Sequence, residues 1–211
     1  MENYPEIATE RFDKANFHIK YCLLSIKKFI KGNILEVGAG CGSFTRNYLG
    51  SSCTSITLTD TDKNNISTLK ENFKNQKNIK VENLPIKNIN NNFDTILYLH
   101  VLEHIEDDVL EIKNASQKLN QGGHLIIMAP AHQRIYGNLD KAVGHFRRYE
   151  KDFFKKEFEN LKLINFKYLD SMGYILYFLN KIFFSNETFP SNLKIFLWDK
   201  IFTPITIIID F

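Results

Sequence analysis

Three glycines directly after a short apolar run constrain this chain more than any other feature. Residues 33–37 (NILEV) read as a β-strand entering Glu36-Val-Gly-Ala-Gly-Cys-Gly42, and 43–49 resume with helical character. Strand, tight turn and helix in that order open a βαβ unit. Glycine in the turn lets backbone N–H groups approach a ligand that a side chain would block. Asp60 follows 22 residues after Gly38 and closes the next strand, 55–59 (SITLT). In nucleotide-binding folds an acid at about this separation accepts hydrogen bonds from ribose hydroxyls. The glycines are spaced GxGxG, not GxGxxG. In the dinucleotide pattern the third glycine serves helix packing beside a pyrophosphate, so its displacement points to an adenosine ligand lacking one.

The rest of the chain keeps this rhythm as far as Pro130. Residues 63–73 read as a helix with Ile66, Leu69 and Phe73 on one face, 79–82 as a strand, and 93–99 (FDTILYL) as a strongly apolar strand. A helix over 107–119 and a Gln121-Gly-Gly turn then lead to a strand over 124–128. Such alternation calls for a parallel sheet covered on both faces. Ahead of it, Ile19, Leu23, Ile26 and Ile30 recur at helical spacing until Gly32 ends the pattern. Beyond Pro130 come a polar, aromatic loop (131–148), a helix near 149–158, a sixth strand over 161–169 and two aromatic segments, 173–184 and 189–202. The β-branched run Ile205 to Ile209 (ITIII) is the candidate seventh strand. The expected fold is therefore α/β: a Rossmann-like, doubly wound, mostly parallel sheet of six or seven strands with an aromatic C-terminal helical extension. It reads as a single domain, with 1–31 an N-terminal helical cap, 32–130 the cofactor-binding half and 131–211 the acceptor side.

Composition removes several function classes. With 211 residues, 44% hydrophobic and 24% charged, the chain can bury a full core and is not disordered as a whole. A net charge of +3 is too mild to imply nucleic acid. Three cysteines, Cys22, Cys41 and Cys53, form no CxxC pair and follow no signal peptide, so the expected setting is the reducing cytoplasm. The 18 Phe and 9 Tyr crowd toward the C-terminus, yet the densest apolar run, 172–184, has 13 residues where a spanning helix needs about 20. Three roles stay open for it: a lid over an apolar or lipid-linked acceptor, a homodimer surface, or a peripheral membrane contact.

These residues carry a family resemblance. LEVGAGCG with the acid-ended strand at Asp60 resembles motif I and its partner in class I S-adenosylmethionine-dependent methyltransferases. Leu99 to Ile105 (LHVLEHI), preceded by FDTIL, resembles their fourth-strand motif, and Gln121-Gly-Gly-His-Leu their lead into the fifth strand. Ala129 to Tyr149 (APAHQRIYGNLDKAVGHFRRY) is similar to a bacterial subgroup often found beside glycosyltransferases for surface polysaccharides. The resemblance implies S-adenosyl-L-methionine as cofactor and S-adenosyl-L-homocysteine as product. It implies that Gly38, Ala39, Gly40 and Gly42 hold the methionine and ribose portions, with Asp60 and Thr61 at the ribose diol. Glu36 would brace the loop through the methionine amine or the backbone. Asn83 and Leu84 stand where the family places an acid and an apolar neighbour around adenine, and His100 borders the same site. The implied reaction is methyl transfer to an O or N of a small-molecule, sugar or glycan-related acceptor. The alternatives are a nicotinamide-dependent oxidoreductase and an inactive cofactor-binding assembly module.

Methyl transfer from a sulfonium is an in-line displacement, so the protein supplies alignment and exclusion of water. A protonated acceptor also needs a base, for which histidine is suited. His104, at the end of the fourth strand and hence beside the ligand crevice, ranks first, and His145 second. The HxxEH of His100, Glu103 and His104 also matches an inverted zinc-protease motif, but it follows a strand instead of lying within a helix. No metal ligand is assigned, and a divalent cation, though allowed by these residue types, is not expected. Without a ligand, Glu103 and His104 would form a helix-entry hydrogen-bond network. Tyr136, Arg147, Arg148 and Tyr149 are the candidate acceptor residues, since guanidinium binds oxyanions bidentately and Tyr offers stacking and a hydroxyl. His132 could line the crevice, while His18 and His124 read as structural.

Overall fold

The computed structural model describes residues 14–50, 52–155, 158, 161–183 and 191–210. The part of the expected N-terminal cap within 1–13 lies outside them. Five strands, β1 (Gly32–Val37), β2 (Cys53–Thr59), β3 (Ile79–Glu82), β4 (Phe93–Leu99) and β5 (Leu119–Met128), form one sheet in the order β3-β2-β1-β4-β5. Every neighbouring pair is parallel. Helices α1 (Asn16–Ile26), α2 (Ser43–Tyr48), α3 (Lys63–Asn72) and α4 (Asp108–Ser116) accompany these strands.

The strands are apolar without alternation because both faces are covered. In β4, Leu97 and Leu99 enter the cluster that holds Ile19, Leu23, Ile66 and Leu69 of α1 and α3, whereas Ile96 and Tyr98 enter the opposite cluster with Ile112 and Ala115 of α4. In β1, Ile34 and Leu35 divide in the same way. Period-two side chains on a buried sheet produce this split. Ile34, Leu35, Ile96 and Leu97 are each fully buried, which contributes roughly 1.5–3 kcal/mol per side chain.

Beyond β5 the chain departs from the expected sheet. No sixth or seventh strand exists among the described residues. Residues 161–169 join no β-ladder among the described residues, and they line the same cavity as β5. Ile205 to Ile209 belongs to a helix, Thr203–Asp210. Thr203 and Thr206 are fully buried and Asp210 accepts from Ser171 and Tyr21, a helical period of polar groups turned inward. Pro204 fits the first turn of a helix, and tertiary contact overrides the β preference of the isoleucines.

The acceptor side begins with α5 (Asn138–Val143) and α6 (Lys151–Phe154), shorter than the expected 149–158 helix. Then follow α7 (Ser171–Phe183), α8 (Asn192–Leu197), a π-helical turn over 198–202 and α9 (Thr203–Asp210). Asp170, in the left-handed region at φ 64°, organises these helices. Its carboxylate accepts from Trp198 Nε1 at 2.9 Å and Gly173 N at 3.0 Å, and its own N–H donates to Tyr21 of α1 at 2.7 Å. The extension's apolar side chains point outward in part, with Leu193 66% and Ile208 83% exposed. Among the described residues no helix is long and apolar enough to cross a membrane.

Candidate active site

The turn after β1 is built by its glycines. All three have positive φ, which L side chains rarely adopt. A Cβ on Gly42 would stand 2.4 Å from the Phe73 ring, so this glycine lets α2 and α3 approach closely, whereas nothing lies within 4 Å of a Cβ on Gly40. Gly40 leaves space, and that space is the cavity. The Asp60 carboxylate holds the loop, accepting from Gly40 N at 2.9 Å and Asp62 N at 2.8 Å. Glu36 is buried beneath it and accepts from the Thr45 and Tyr48 hydroxyls, both at 2.6 Å. It therefore braces the loop through α2, not through the loop backbone. Burial pushes the Glu36 carboxyl up to about 7 against the pull of those two hydroxyls.

A cavity of about 1550 Å³ runs from this loop past the end of β4 and along β5 to α7. Pockets for a single drug-sized ligand span roughly 300–1000 Å³, so this one has room for two partners. Glu36, Gly38, Ala39, Gly40, Asp60, Thr61, His100 and His104 line it. Asn83 and Leu84 do not: the Asn83 amide donates to the Asp60 carbonyl at 2.6 Å, and Leu84 is 39% exposed. Instead Thr61, Asp62 and Asn65 flank that end. His18 and Cys22 of α1 also line the cavity, as do His124 and His132, so His18 and His124 are not confined to a core role.

Beside the turn, His100 leaves β4 with φ 59°, an uncommon conformation for a non-glycine residue and one that concentrates at functional sites. Glu103 and His104 lie on the following turn, and the His104 ring meets the His145 ring edge-on at 4.7 Å. Asp140 Oδ1 accepts from His145 Nδ1 and from Arg148 Nε, both at 2.9 Å, and its Oδ2 accepts from Gly137 N and Tyr177 of α7. His145 and Arg148 hold the Asp140 carboxyl down to about 2 although burial pulls the other way. Burial pushes Glu103 up to about 8, and neither of its oxygens has a hydrogen-bond partner. The helix-entry network expected for Glu103 is thus not what the fold builds.

The arginines are occupied within the chain. Arg147 is ion-paired with Asp108 at 2.6 Å and donates to the Glu106 carbonyl, while Arg148 is committed to Asp140 and lies over the Tyr177 ring at 4.3 Å. Tyr149 donates to Asp108, and Tyr136 to the His145 carbonyl. Of these four, Arg148 and Tyr149 line the cavity. They tie the acceptor loop to the turn after β4 and to α7. Tyr174 and Tyr177, which also line the cavity, carry no pattern in the sequence that would single them out.

A glycine turn gripped by the acid that ends β2, at the carboxyl edge of a parallel sheet, is the arrangement of a Rossmann-like nucleotide-binding fold. Residues 35–125 match the family model described as a methyltransferase domain. In three dimensions the chain is similar to the YcgJ protein of Bacillus subtilis, with 15% identity, a TM-score of 0.55 and 65% of each chain covered. It is also similar to a putative methyltransferase from Bacillus halodurans, with 14% identity, a TM-score of 0.54, and 64% of this chain and 65% of that one covered. A putative S-adenosyl-L-methionine-dependent methyltransferase from Methanococcus maripaludis gives 19% identity and a TM-score of 0.51, covering 62% of this chain and 66% of that one. The chain thus spans about two thirds of the length of these structures. No curated protein matches it in sequence.

Proposed function

We propose that this protein transfers the methyl group of S-adenosylmethionine to an oxygen or nitrogen of a small-molecule, sugar or glycan-related acceptor. The observation that carries the reading is one cavity joining Gly38, Ala39, Gly40 and Asp60 to the His100, His104 and His145 cluster. In this reading the turn's backbone takes the methionine end, and Asp60, held by Gly40 N and Asp62 N, takes the ribose diol. In the transfer, a lone pair on the acceptor attacks the methyl carbon, the carbon–sulfur bond breaks, and its electrons return to sulfur as S-adenosylhomocysteine forms. The proton released by a hydroxyl or ammonium acceptor passes to His104, with His145 behind it. Alignment and exclusion of water supply most of the acceleration.

Calorimetric titration with S-adenosylmethionine, S-adenosylhomocysteine and NAD tests the cofactor assignment. Heat and a raised melting temperature with the first two alone are expected. Binding of NAD alone, or of none, overturns it. Release of S-adenosylhomocysteine against a panel of nucleotide sugars, glycans and small phenols identifies the acceptor, and no release with any member would favour an inactive binding module.

A further inference from the structure

Glu103, His104 and His145 each bring a potential ligand atom to one point, all within 4.8 Å of one another. Only the fold unites them, since Glu103 and His104 come from the turn after β4 and His145 from the acceptor loop. The two segments are tied by Phe146 N, which donates to the Glu103 carbonyl at 2.8 Å. Glu103 is 1% exposed, and both its oxygens lack a hydrogen-bond partner. Its Oε1 stands 3.8 Å from His100 Nδ1 and 3.9 Å from His145 Nε2, too far for hydrogen bonds. A buried carboxyl without a hydrogen-bond partner is costly, and a cation would supply the missing contact. The spacing leaves room for an ion between the groups, given metal–nitrogen and metal–oxygen bonds of ~2.0–2.2 Å.

The surroundings orient the imidazoles as ligands. Asp140 accepts from His145 Nδ1 at 2.9 Å, which fixes the tautomer and leaves Nε2 bare on the Glu103 side. This carboxylate–histidine pair is the usual support of a metal-bound imidazole. The His104 ring meets the His145 ring edge-on at 4.7 Å.

We propose that Glu103, His104 and His145 form a divalent transition-metal site, with His100 at its edge and its open positions facing the cavity. Two imidazoles and one carboxylate suit Zn²⁺, Mn²⁺ or Fe²⁺ better than Mg²⁺ or Ca²⁺, which take oxygen ligands. Three protein ligands leave positions for an oxygen of the acceptor, whose hydroxyl would be acidified beside the methyl donor and would release its proton to water in the cavity. In that state His104 serves as a ligand. This use of the ion rests on the methyltransferase reading, whereas binding of the ion does not.

The full chain, stripped with EDTA, is titrated with Mn²⁺, Zn²⁺ and Mg²⁺ by calorimetry and thermal shift, with Mn²⁺ also followed by electron paramagnetic resonance. S-adenosylhomocysteine binding is measured on the same sample as a separate readout of the methyltransferase reading. One equivalent of Mn²⁺ or Zn²⁺ bound more tightly than Mg²⁺ is expected. Glu103→Gln and His145→Gln should each weaken that binding more than tenfold, and Asp140→Asn by about 10–100-fold through the orientation of His145. No transition-metal binding to the wild-type chain, or undiminished binding to a folded Glu103→Gln or His145→Gln protein, overturns the site. The wild-type titration decides by itself if both variants fail to fold.

Discussion

Asp140 accepts a hydrogen bond from His145 at 2.9 Å while its other oxygen accepts from Tyr177, so one buried carboxylate joins the acceptor loop to α7. Arg148, with a side chain 10% exposed, completes the group at 2.9 Å. Removing one partner of a buried ion pair leaves the other charge uncompensated, at about 3–5 kcal/mol. Asp140→Ala should therefore cost about that much, seen as a lower midpoint in urea unfolding. A variant within 1 kcal/mol of wild type would mean that the carboxylate does not hold the two elements together. The acid side follows from the same pair. The folded value of about 2 lies below the ordinary carboxylate value, so the contribution is present above about pH 4 and is lost as pH falls through 2.

Glu36 gives the opposite pH dependence. Its carboxyl is 2% exposed and pushed up to about 7 by burial, against an ordinary value of 4.5. The folded state keeps the proton between those two values while the unfolded state releases it. Stability should fall as pH rises from about 4.5 to 7, by roughly 3 kcal/mol, and level off above. Glu36→Gln keeps an acceptor for Thr45 and Tyr48 but has no proton to lose. The wild-type minus variant difference in unfolding free energy, measured from pH 4.5 to 8, should carry this slope. A flat difference would remove Glu36 as its source.

The central sheet was legible because glycine and burial on both faces leave clear marks: Gly38 to Gly42 and Asp60 fall where spacing puts them, and β3 and β4 have the expected bounds. The acceptor side was not. Residues 161–169 have the apolar content of a strand but join no β-ladder among the described residues, and Ile205 to Ile209 are β-branched yet helical because Thr203, Thr206 and Asp210 face inward. Tyr177 lies 37 residues from Asp140, and only tertiary packing reveals that they meet. The lack of a partner at Glu103 is likewise invisible in HVLEH, since it depends on His145 being held away by Asp140.

Gly42 is required by both conformation and contact, with φ 83° and the Phe73 ring 2.4 Å from where a Cβ would lie. Gly42→Ala strains the backbone and forces α2 and α3 apart, and overpacking of this kind costs about 1–3 kcal/mol. Lower stability together with weaker S-adenosylhomocysteine binding is expected, because the displaced helix carries the end of the turn. Unchanged melting and affinity would show that the turn adapts freely.

Asp60→Ala should act on the cofactor first. The carboxylate accepts from Gly40 N and Asp62 N, so its loss frees the turn and also removes the group proposed to hold the ribose. Charge-assisted hydrogen bonds contribute roughly 1.5–3 kcal/mol each, so affinity for S-adenosylhomocysteine should fall at least tenfold in calorimetry. Asp60→Asn retains an acceptor oxygen and should fall less. Equal affinity for wild type and both variants would dismiss the ribose assignment.

His104 separates chemistry from binding. It lines the cavity beside His145, so His104→Gln should bind S-adenosylmethionine as wild type does while losing turnover. General-base catalysis contributes about 10²–10⁴-fold, which sets the expected loss in kcat for a hydroxyl acceptor. The readout is S-adenosylhomocysteine release at saturating cofactor, with KM for the cofactor measured alongside. A wild-type turnover number would exclude His104 from the proton's path, and a raised cofactor KM at constant kcat would place it in cofactor binding instead.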